Sequence, residues 1–271
     1  MSNYILSLPK AFNEPVKSYL PGSSERQELK AELKRQMDAP MDIPLIINGR
    51  EVRPADTFIV ICPHDHGHQL ATCAQADDNH IQAAIDAALI AKPTWETMPW
   101  QERASIFLKV ADLISQKYSQ QLNAATMLGQ SKNPFQAGID ATCELADFLR
   151  FNVKHMEDIY KSQPASEKGI WNRTEYRPLE GFVFALTPFN FTAIAGNLCA
   201  APAIMGNTIV WKPATTAALS AYYLMRIFKE AGLPDGVINF IPGNGLKIGD
   251  IVLSHKELGG IHFTGSTKVF Q

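Results

Sequence analysis

The sequence is poor in the features that announce a secreted, membrane-spanning or nucleic-acid-binding protein. Its four cysteines, Cys62, Cys73, Cys143 and Cys199, are scattered with no C-x-x-C pair. That pattern suits reduced thiols and argues against a disulfide framework. No apolar run approaches the roughly 20 residues that cross a bilayer. The most apolar stretch, Ala193 to Met205, is interrupted by Gly196, Asn197 and Pro202. The 25 basic and 27 acidic residues nearly cancel, leaving a net charge of −2. No field of one sign therefore draws the chain to nucleic acid or to an anionic membrane, and neither partner is expected. Met1 to Pro15 lacks a basic segment followed by an apolar run, carries Glu14, and precedes the first arginine at Arg26. It reads as neither a secretory signal nor a mitochondrial presequence, so the expected location is the cytoplasm. Internal repeats and low-complexity tracts are absent as well.

What is present is a chain of 271 residues, 46% hydrophobic and 19% charged. That composition is globular and able to bury a sizeable core. Residues 1–43 are polar, and Ser23-Ser24 followed by Glu25 and Glu28 marks a helix start, with Leu29, Leu33 and Met37 on one face. This region reads as a helical extension. Residues 44–174 form a second region, a strand hairpin followed by helices that pack on the domain after it. The hairpin turns at Asn48-Gly49 within Ile46 to Val52, and Phe58 to Ile61 is a further strand that residues 69–76 can pair after a turn at Asp65 to His68. Asp77-Asp78 caps a helix expected to run to about Ala91; Pro99 starts another carrying Ile106, Val110, Leu113 and Ile114; a third runs from Pro134 to Tyr160. A turn near Gly129 is expected between the last two.

Residues 175–271 alternate between strand and helix periods. Gly181 to Leu186 is a continuous apolar run, as expected for a strand buried on both faces. Thr208 to Trp211, Val237 to Ile241 and Gly260 to Phe263 are further strands, with helices between them. The β-α-β-α-β-α-β order implies an α/β fold with a Rossmann-type parallel sheet. Gln271 follows the fourth strand by only a few residues, which reads as a chain cut short.

In such sheets ligands bind beyond the carboxyl ends of the strands. Four segments occupy that position: Thr187-Pro188-Phe189-Asn190-Phe191, Lys212-Pro213-Ala214, Pro242-Gly243-Asn244-Gly245, and Thr264-Gly265-Ser266-Thr267. Glycine turns, a lysine and hydroxyls suit a phosphate-bearing cofactor. Each also has a plainer reading, since Gly243 and Gly245 lack the third glycine of a dinucleotide fingerprint and serve any turn, and a lysine is most often solvated. His64, His66 and His68 alternate as metal ligands on one strand face would, but Pro63, Asp65 and Gly67 favour a turn, and no metal is expected.

Taken together, Phe-Asn-Phe after one strand, Trp-Lys-Pro after the next and Phe-Thr-Gly-Ser after the fourth resemble the aldehyde dehydrogenase superfamily. The strings Glu175 to Phe182, Thr187 to Ile194, Ala203 to Thr208, Asn13 to Val16 and Phe148 to Asn152 are similar to those of its L-glutamate γ-semialdehyde (1-pyrroline-5-carboxylate) dehydrogenases. The resemblance runs from about Asn13 to Phe270 and corresponds to the first half of the family's length. It implies an aldehyde dehydrogenase-like fold truncated before the catalytic domain, NAD as cofactor, a small-molecule aldehyde as substrate, and homo-oligomers of the full-length enzyme. By the same resemblance Asn190 is the catalytic oxyanion donor. Lys212 binds the adenosine ribose, Thr187 contacts the cofactor beside its nicotinamide end, and Gly265, Ser266, Thr267, Lys268 and Val269 lie beside the pyrophosphate. Phe191 lines the aldehyde pocket and Glu144 lies near the substrate's amino group, although Glu144 reads equally as a solvated helix carboxylate. The family also has a histidine-rich turn without metal.

Two positions depart from the family's pattern. Ala214 stands where serine is usual, and Gly138 where glutamate is expected, in a helix that glycine weakens by about 1 kcal/mol. The family's nucleophilic cysteine and general-base glutamate fall beyond Gln271, so the chain alone is expected to be inactive. Two other readings are a non-catalytic nucleotide-binding or interaction module and a short-chain reductase. The latter wants a G-x-x-x-G-x-G turn and a Tyr-x-x-x-Lys pair, and neither is present.

Overall fold

A computed structural model describes residues 7–271; the first six residues of the predicted helical extension lie outside it. Helix α1, Ser24–Asp38, starts where the serine pair predicts, with the Ser23 hydroxyl accepting from the Arg26 amide. Its apolar face is narrow. Leu29 is buried, Leu33 half-buried, and Met37 exposed. Ahead of it, an extended stretch is pinned to a later helix: Asn13 Nδ2 and the Glu14 amide donate to the two carboxylate oxygens of Asp147 at 2.8 and 2.7 Å. The Glu14 carboxylate accepts from Arg150 at 2.8 Å.

The Asn48-Gly49 hairpin forms as expected, with β2 at Leu45–Ile47 and β3 at Arg50–Val52. Both turn residues have positive φ, 50° and 69°, the twist that joins two strands through two residues. A separate three-stranded sheet combines β1 (Met41–Ile43), β4 (Thr57–Cys62) and β5 (Asp65–Ala74) in the order β1-β5-β4. The β4–β5 turn is tighter than the sequence suggests. Cys62 already faces Asp65, so Pro63 and His64 alone make the turn, and register shifts at Val60 to Cys62 absorb the difference.

The helices between the sheets differ from expectation at their boundaries. Helix α2, Asp78–Thr97, continues through Pro93 past Ala91. Its end is held from outside, since the buried Trp95 indole donates to the Ala203 carbonyl at 3.0 Å. The segment after Pro99 is two helices, α3 (Trp100–Asp112) and α4 (Ser119–Gln130), joined by a wider π-type turn at Leu113–Lys117. Gly129 is buried inside α4, and the reversal comes instead at Ser131, whose φ is 55°. The third predicted helix is α5 (Pro134–Ala137) and α6 (Leu145–Lys161), joined by a second π-type turn at Gly138–Glu144.

The predicted alternation follows: β6 (Phe182–Leu186), α7 (Thr192–Ile204), β7 (Ile209–Lys212), α8 (Ala218–Ala231), β8 (Ile238–Phe240), α9 (Gly245–Leu253), β9 (Leu258–Phe263) and the short α10 (Thr267–Phe270). These four strands are parallel, in the order β8-β7-β6-β9. Ile46 pairs antiparallel with Phe240, so the β2–β3 hairpin extends the same sheet to six strands. The strand period of two divides the apolar run of β6 between two cores. Val183 and Ala185 face Phe107, Leu149, Cys199 and Leu224 on one side. Phe182 and Phe184 face Ile81, Ile85, Ile248 and Val252 on the other.

Gly181 enters β6 with φ 71°, and a Cβ there would lie 1.8 Å from the Glu257 carbonyl oxygen. That same oxygen accepts from the Phe182 amide at 3.0 Å and sets the start of the β6–β9 pairing. Gly181→Ala is expected to lower unfolding free energy by roughly 2 kcal/mol or more, through both strain and displaced backbone. Urea unfolding of the two chains measures this, and a loss below about 0.5 kcal/mol would contradict the packing described.

Candidate functional site

Strand order fixes where a ligand can sit. Going outward from β6, the chain proceeds to β7 and β8 on one side and returns to β9 on the other. The crevice lies at that reversal, outside the carboxyl ends of β6 and β9. The segment after β9 meets it directly, with the Thr264 amide donating to the Leu186 carbonyl at 3.3 Å. Thr187 is buried, its amide donates to the Lys212 carbonyl, and its hydroxyl accepts from the Trp211 indole at 3.0 Å. Asn190 is exposed, and its side chain makes no hydrogen bond among the described residues.

What holds the Asn190 loop was not predicted. Helix α7 begins after Phe191 with no side-chain cap of its own. The Asp140 carboxylate supplies the cap, accepting from the Thr192 amide at 3.1 Å and the Ala193 amide at 2.8 Å. Asp140 is 2% exposed and pairs with Lys132 Nζ at 2.7 Å, so the buried charge is partnered, as it must be. The same ammonium lies 4.0 Å from the centre of the Phe191 ring. The Thr192 hydroxyl meets the Thr126 hydroxyl at 2.7 Å and accepts from Gln130 Nε2 at 2.9 Å. Helix α4 and the π-type turn at Gly138–Glu144 thus grip the start of α7 and, through it, Asn190 and Phe191.

Lys212 ends β7. It is 8% exposed, and its ammonium makes no hydrogen bond or ion pair among the described residues. Burial pushes its pKa below the ordinary value of 10.5. The ammonium faces the first residue of α9, since a Cβ on Gly245 would lie 3.6 Å from Nζ. Asn244 caps that helix by accepting from the Leu246 and Lys247 amides. A buried cation with no anion, beside a helix N-terminus, is an arrangement made for a negatively charged group. Gly265, Ser266, Thr267, Lys268 and Val269 lie exposed at the turn after β9 and in α10.

Glu144 shares the π-type turn of Asp140 and lies within reach of the charges of Asp140 and Lys132. It lines a groove of 780 Å³ with Asp147, Phe148, Phe151, Asn152 and His155, which neither Asn190 nor Phe191 lines. Burial, and then the nearby Asp140 charge, raise its pKa. The two departures from the family's pattern also find their places. A Cβ on Gly138 would lie 3.2 Å from Cε2 of Tyr19, so that ring occupies the space a glutamate would need. Ala214 precedes a short 3-10 turn at Thr215–Ala217.

None of the four thiols is placed as a nucleophile. All are buried. Burial pushes Cys73 up to about 12, Cys143 up to about 11 and Cys199 well above the ordinary range. Cys62 Sγ lies 3.2 Å from His64 Nε2, whose other ring nitrogen meets the Ser131 hydroxyl. No group of three or more histidine, cysteine or acidic residues is gathered for a metal among the described residues. Nor, among them, is any helix long and apolar enough to cross a membrane.

Comparison with known proteins accounts for this arrangement. Residues 51–271 match the model of the aldehyde dehydrogenase family. The delta-1-pyrroline-5-carboxylate dehydrogenase of Agaricus bisporus is 52% identical over 97% of this chain and 48% of its own length. The human protein of that name, described as mitochondrial, is 45% identical over 97% of this chain and 46% of its own. The chain thus spans about half the length of the curated relatives it matches. The mitochondrial naming of several relatives gives the cytoplasmic expectation no support. A crystal structure of the Mycobacterium tuberculosis delta-pyrroline-5-carboxylate dehydrogenase bound with NAD superimposes with a TM-score of 0.98 at 48% identity, over 99% of this chain and 50% of that one. The expected aldehyde dehydrogenase-like α/β fold is therefore the fold observed.

Three variants test the site's construction. Asp140→Ala uncaps α7 and strands the Lys132 charge, with an expected loss of about 2–4 kcal/mol. Asp140→Asn keeps one acceptor and should lose less; equal stability of all three chains in urea would refute the cap. Lys212→Met removes a charge that burial opposes and should raise stability at neutral pH by about 1 kcal/mol. Because the folded chain holds the Lys212 proton less tightly than the unfolded one, stability of the parent chain should rise with pH between the lowered value and 10.5. Thermal unfolding across that window should show the slope in the parent and not in Lys212→Met.

Proposed function

The chain belongs to the aldehyde dehydrogenase family, and we propose that it forms the NAD-binding side of an enzyme that oxidises L-glutamate 5-semialdehyde to L-glutamate. The observation that carries the cofactor reading is Lys212, a buried ammonium without an anion, facing the start of α9. The residues fit a dinucleotide. Lys212 and the α9 N-terminus suit its adenosine ribose and phosphates, the turn from Gly265 to Val269 suits its pyrophosphate, and Thr187 lies toward the nicotinamide end. When bound, NAD accepts hydride from the substrate carbon.

The chain's own residues do the rest of what is assigned to them. Asn190, unengaged and exposed, donates its amide N–H to the oxyanion that forms when a nucleophile adds to the aldehyde. A donor fixed where charge develops lowers a barrier by roughly 3–4 kcal/mol. The cap from Asp140 keeps that donor in place. Phe191, under the Lys132 ammonium, forms a wall for the aldehyde. Glu144 offers a carboxylate for the substrate's amino group. No thiol here has the access and activating partner of a nucleophile, so the chain alone binds without turning over. Ile170 and Trp171, 57% and 82% exposed beside the Glu167–Ile170 bridge, suit self-association of the whole enzyme.

Calorimetric titration of the purified chain with NAD+ tests the reading. Saturable binding is expected, weakened at least tenfold by Lys212→Met. Incubation with NAD+ and the semialdehyde should yield no NADH. Absence of binding would overturn the cofactor assignment, and NADH formation would overturn the assignment of the nucleophile outside this chain.

A further inference from the structure

The extended stretch ahead of α1 is fastened at more points than Asp147 and Arg150. Near its end, Tyr19 is 6% exposed and has φ 52°. A tyrosine keeps that left-handed backbone only where its surroundings hold it. They are the π-type turn at Gly138–Glu144 and one side of α4. A Cβ on Gly138 would lie 3.2 Å from the Tyr19 ring and 3.3 Å from its hydroxyl, so the ring lies against the first residue of the turn. The Tyr19 hydroxyl accepts from Asn123 Nδ2 at 2.7 Å, and Asn123 Oδ1 accepts from the Thr142 hydroxyl at 2.8 Å. Asn123 and Thr142 are both buried, so water does not stand in for either bond. The Cys143 thiol is 3.6 Å from the Pro15 carbonyl oxygen.

Gly138, Thr142 and Cys143 therefore back onto the extended stretch or onto the asparagine it engages. Asp140 reaches the start of α7 from the same turn. Helix α4 joins the two ends. Asn123, Thr126 and Gln130 recur at helical spacing and share one face of it. Asn123 holds the turn, while Thr126 and Gln130 hold Thr192. Tyr19 itself precedes the segment, residues 51–271, that matches the family model. We propose that Tyr19 is a positioning residue of the site. It sets the π-type turn so that Asp140 reaches the Thr192 and Ala193 amides, and thereby fixes Asn190. Without the hydroxyl, Asn123 loses a buried acceptor and turns to another, which releases Thr142 and the turn. The consequence for the oxyanion rests on the role given to Asn190 under Proposed function; the coupling of Tyr19 to the cap does not.

Amide hydrogen exchange read by NMR tests this with Tyr19→Phe, which keeps the ring against Gly138 and removes only the hydroxyl. The Thr192 and Ala193 amides should exchange at least about fivefold faster than in the parent chain, and the Asn190 side-chain amide resonances should shift. The Leu246 and Lys247 amides, which Asn244 caps at the start of α9, should stay within about twofold. Thr142→Val cuts the same relay at its other end and should give the same pattern. With Asp140→Asn already present, adding Tyr19→Phe should speed the cap amides by no more than about twofold, since one path is not cut twice. Equal acceleration at both helix starts would reduce Tyr19 to a contributor to overall stability and overturn the inference. So would unchanged rates at Thr192 and Ala193, or effects that multiply in the double variant. Loosened cap amides with unmoved Asn190 resonances would overturn the link to Asn190. Calorimetric titration keeps the cofactor reading separate. Tyr19→Phe should bind NAD+ within about twofold of the parent, because Lys212 and α9 lie outside the relay, and a tenfold loss would count against it. A parent chain that binds no NAD+ defeats the cofactor reading alone, and the exchange rates still decide the role of Tyr19.

Discussion

A single carboxylate holds the site together. Asp140 reaches from the π-type turn before α6 to accept two amides at the start of α7, and Lys132 neutralises it while covering Phe191. Everything expected of Asn190 depends on the path of the few residues between β6 and α7. That path has no internal support, because Phe191 cannot cap the helix it precedes. The support comes from a layer of helices that also buries one face of the sheet, so the fold's packing and the site's geometry share their parts. The lysine serves two neighbours at once. It satisfies a buried anion that would otherwise carry a large desolvation penalty, and it fixes an aromatic wall.

Much of the fold was legible because strands and turns announce themselves locally. Asn48-Gly49 demands a two-residue hairpin, and the unbroken run from Phe182 to Leu186 belongs in a sheet covered on both faces. The helical boundaries were harder. Gly129 looks like a stop, yet it is held in α4 by burial, and Ser131 takes the left-handed position instead. Pro93 looks like an end, yet Trp95 anchors the helix beyond it. In each case a tertiary contact outweighs a local preference of about 1 to 3 kcal/mol.

The strand-end residues of the site were legible for a topological reason, since a parallel sheet presents its connecting loops at one edge. Thr187, Asn190, Lys212 and the Gly265 turn follow from strand ends alone. Asp140, Lys132, Thr126 and Gln130 do not, because they arrive from helices far back in the chain; Asp140 and Thr192 are 52 residues apart. One hint was available. A helix opening with Phe191 in place of a polar cap signals that another part of the molecule must supply the acceptor. Glu144 illustrates the reverse case, a residue assigned by resemblance that lies in a groove with its own set of neighbours.

The π-type turn at Gly138–Glu144 carries Asp140 and joins α5 to α6. Such a turn amounts to one residue inserted into an ordinary helix. Removing one residue there would rotate everything on one side of it by about 100° relative to the other. Either Asp140 would leave α7, or α6 would lose the face that packs on the sheet. Drift in chain length at this spot is therefore barred. Apart from Asp140 itself, a family built this way should tolerate substitution along the segment far better than it tolerates a change of reading length.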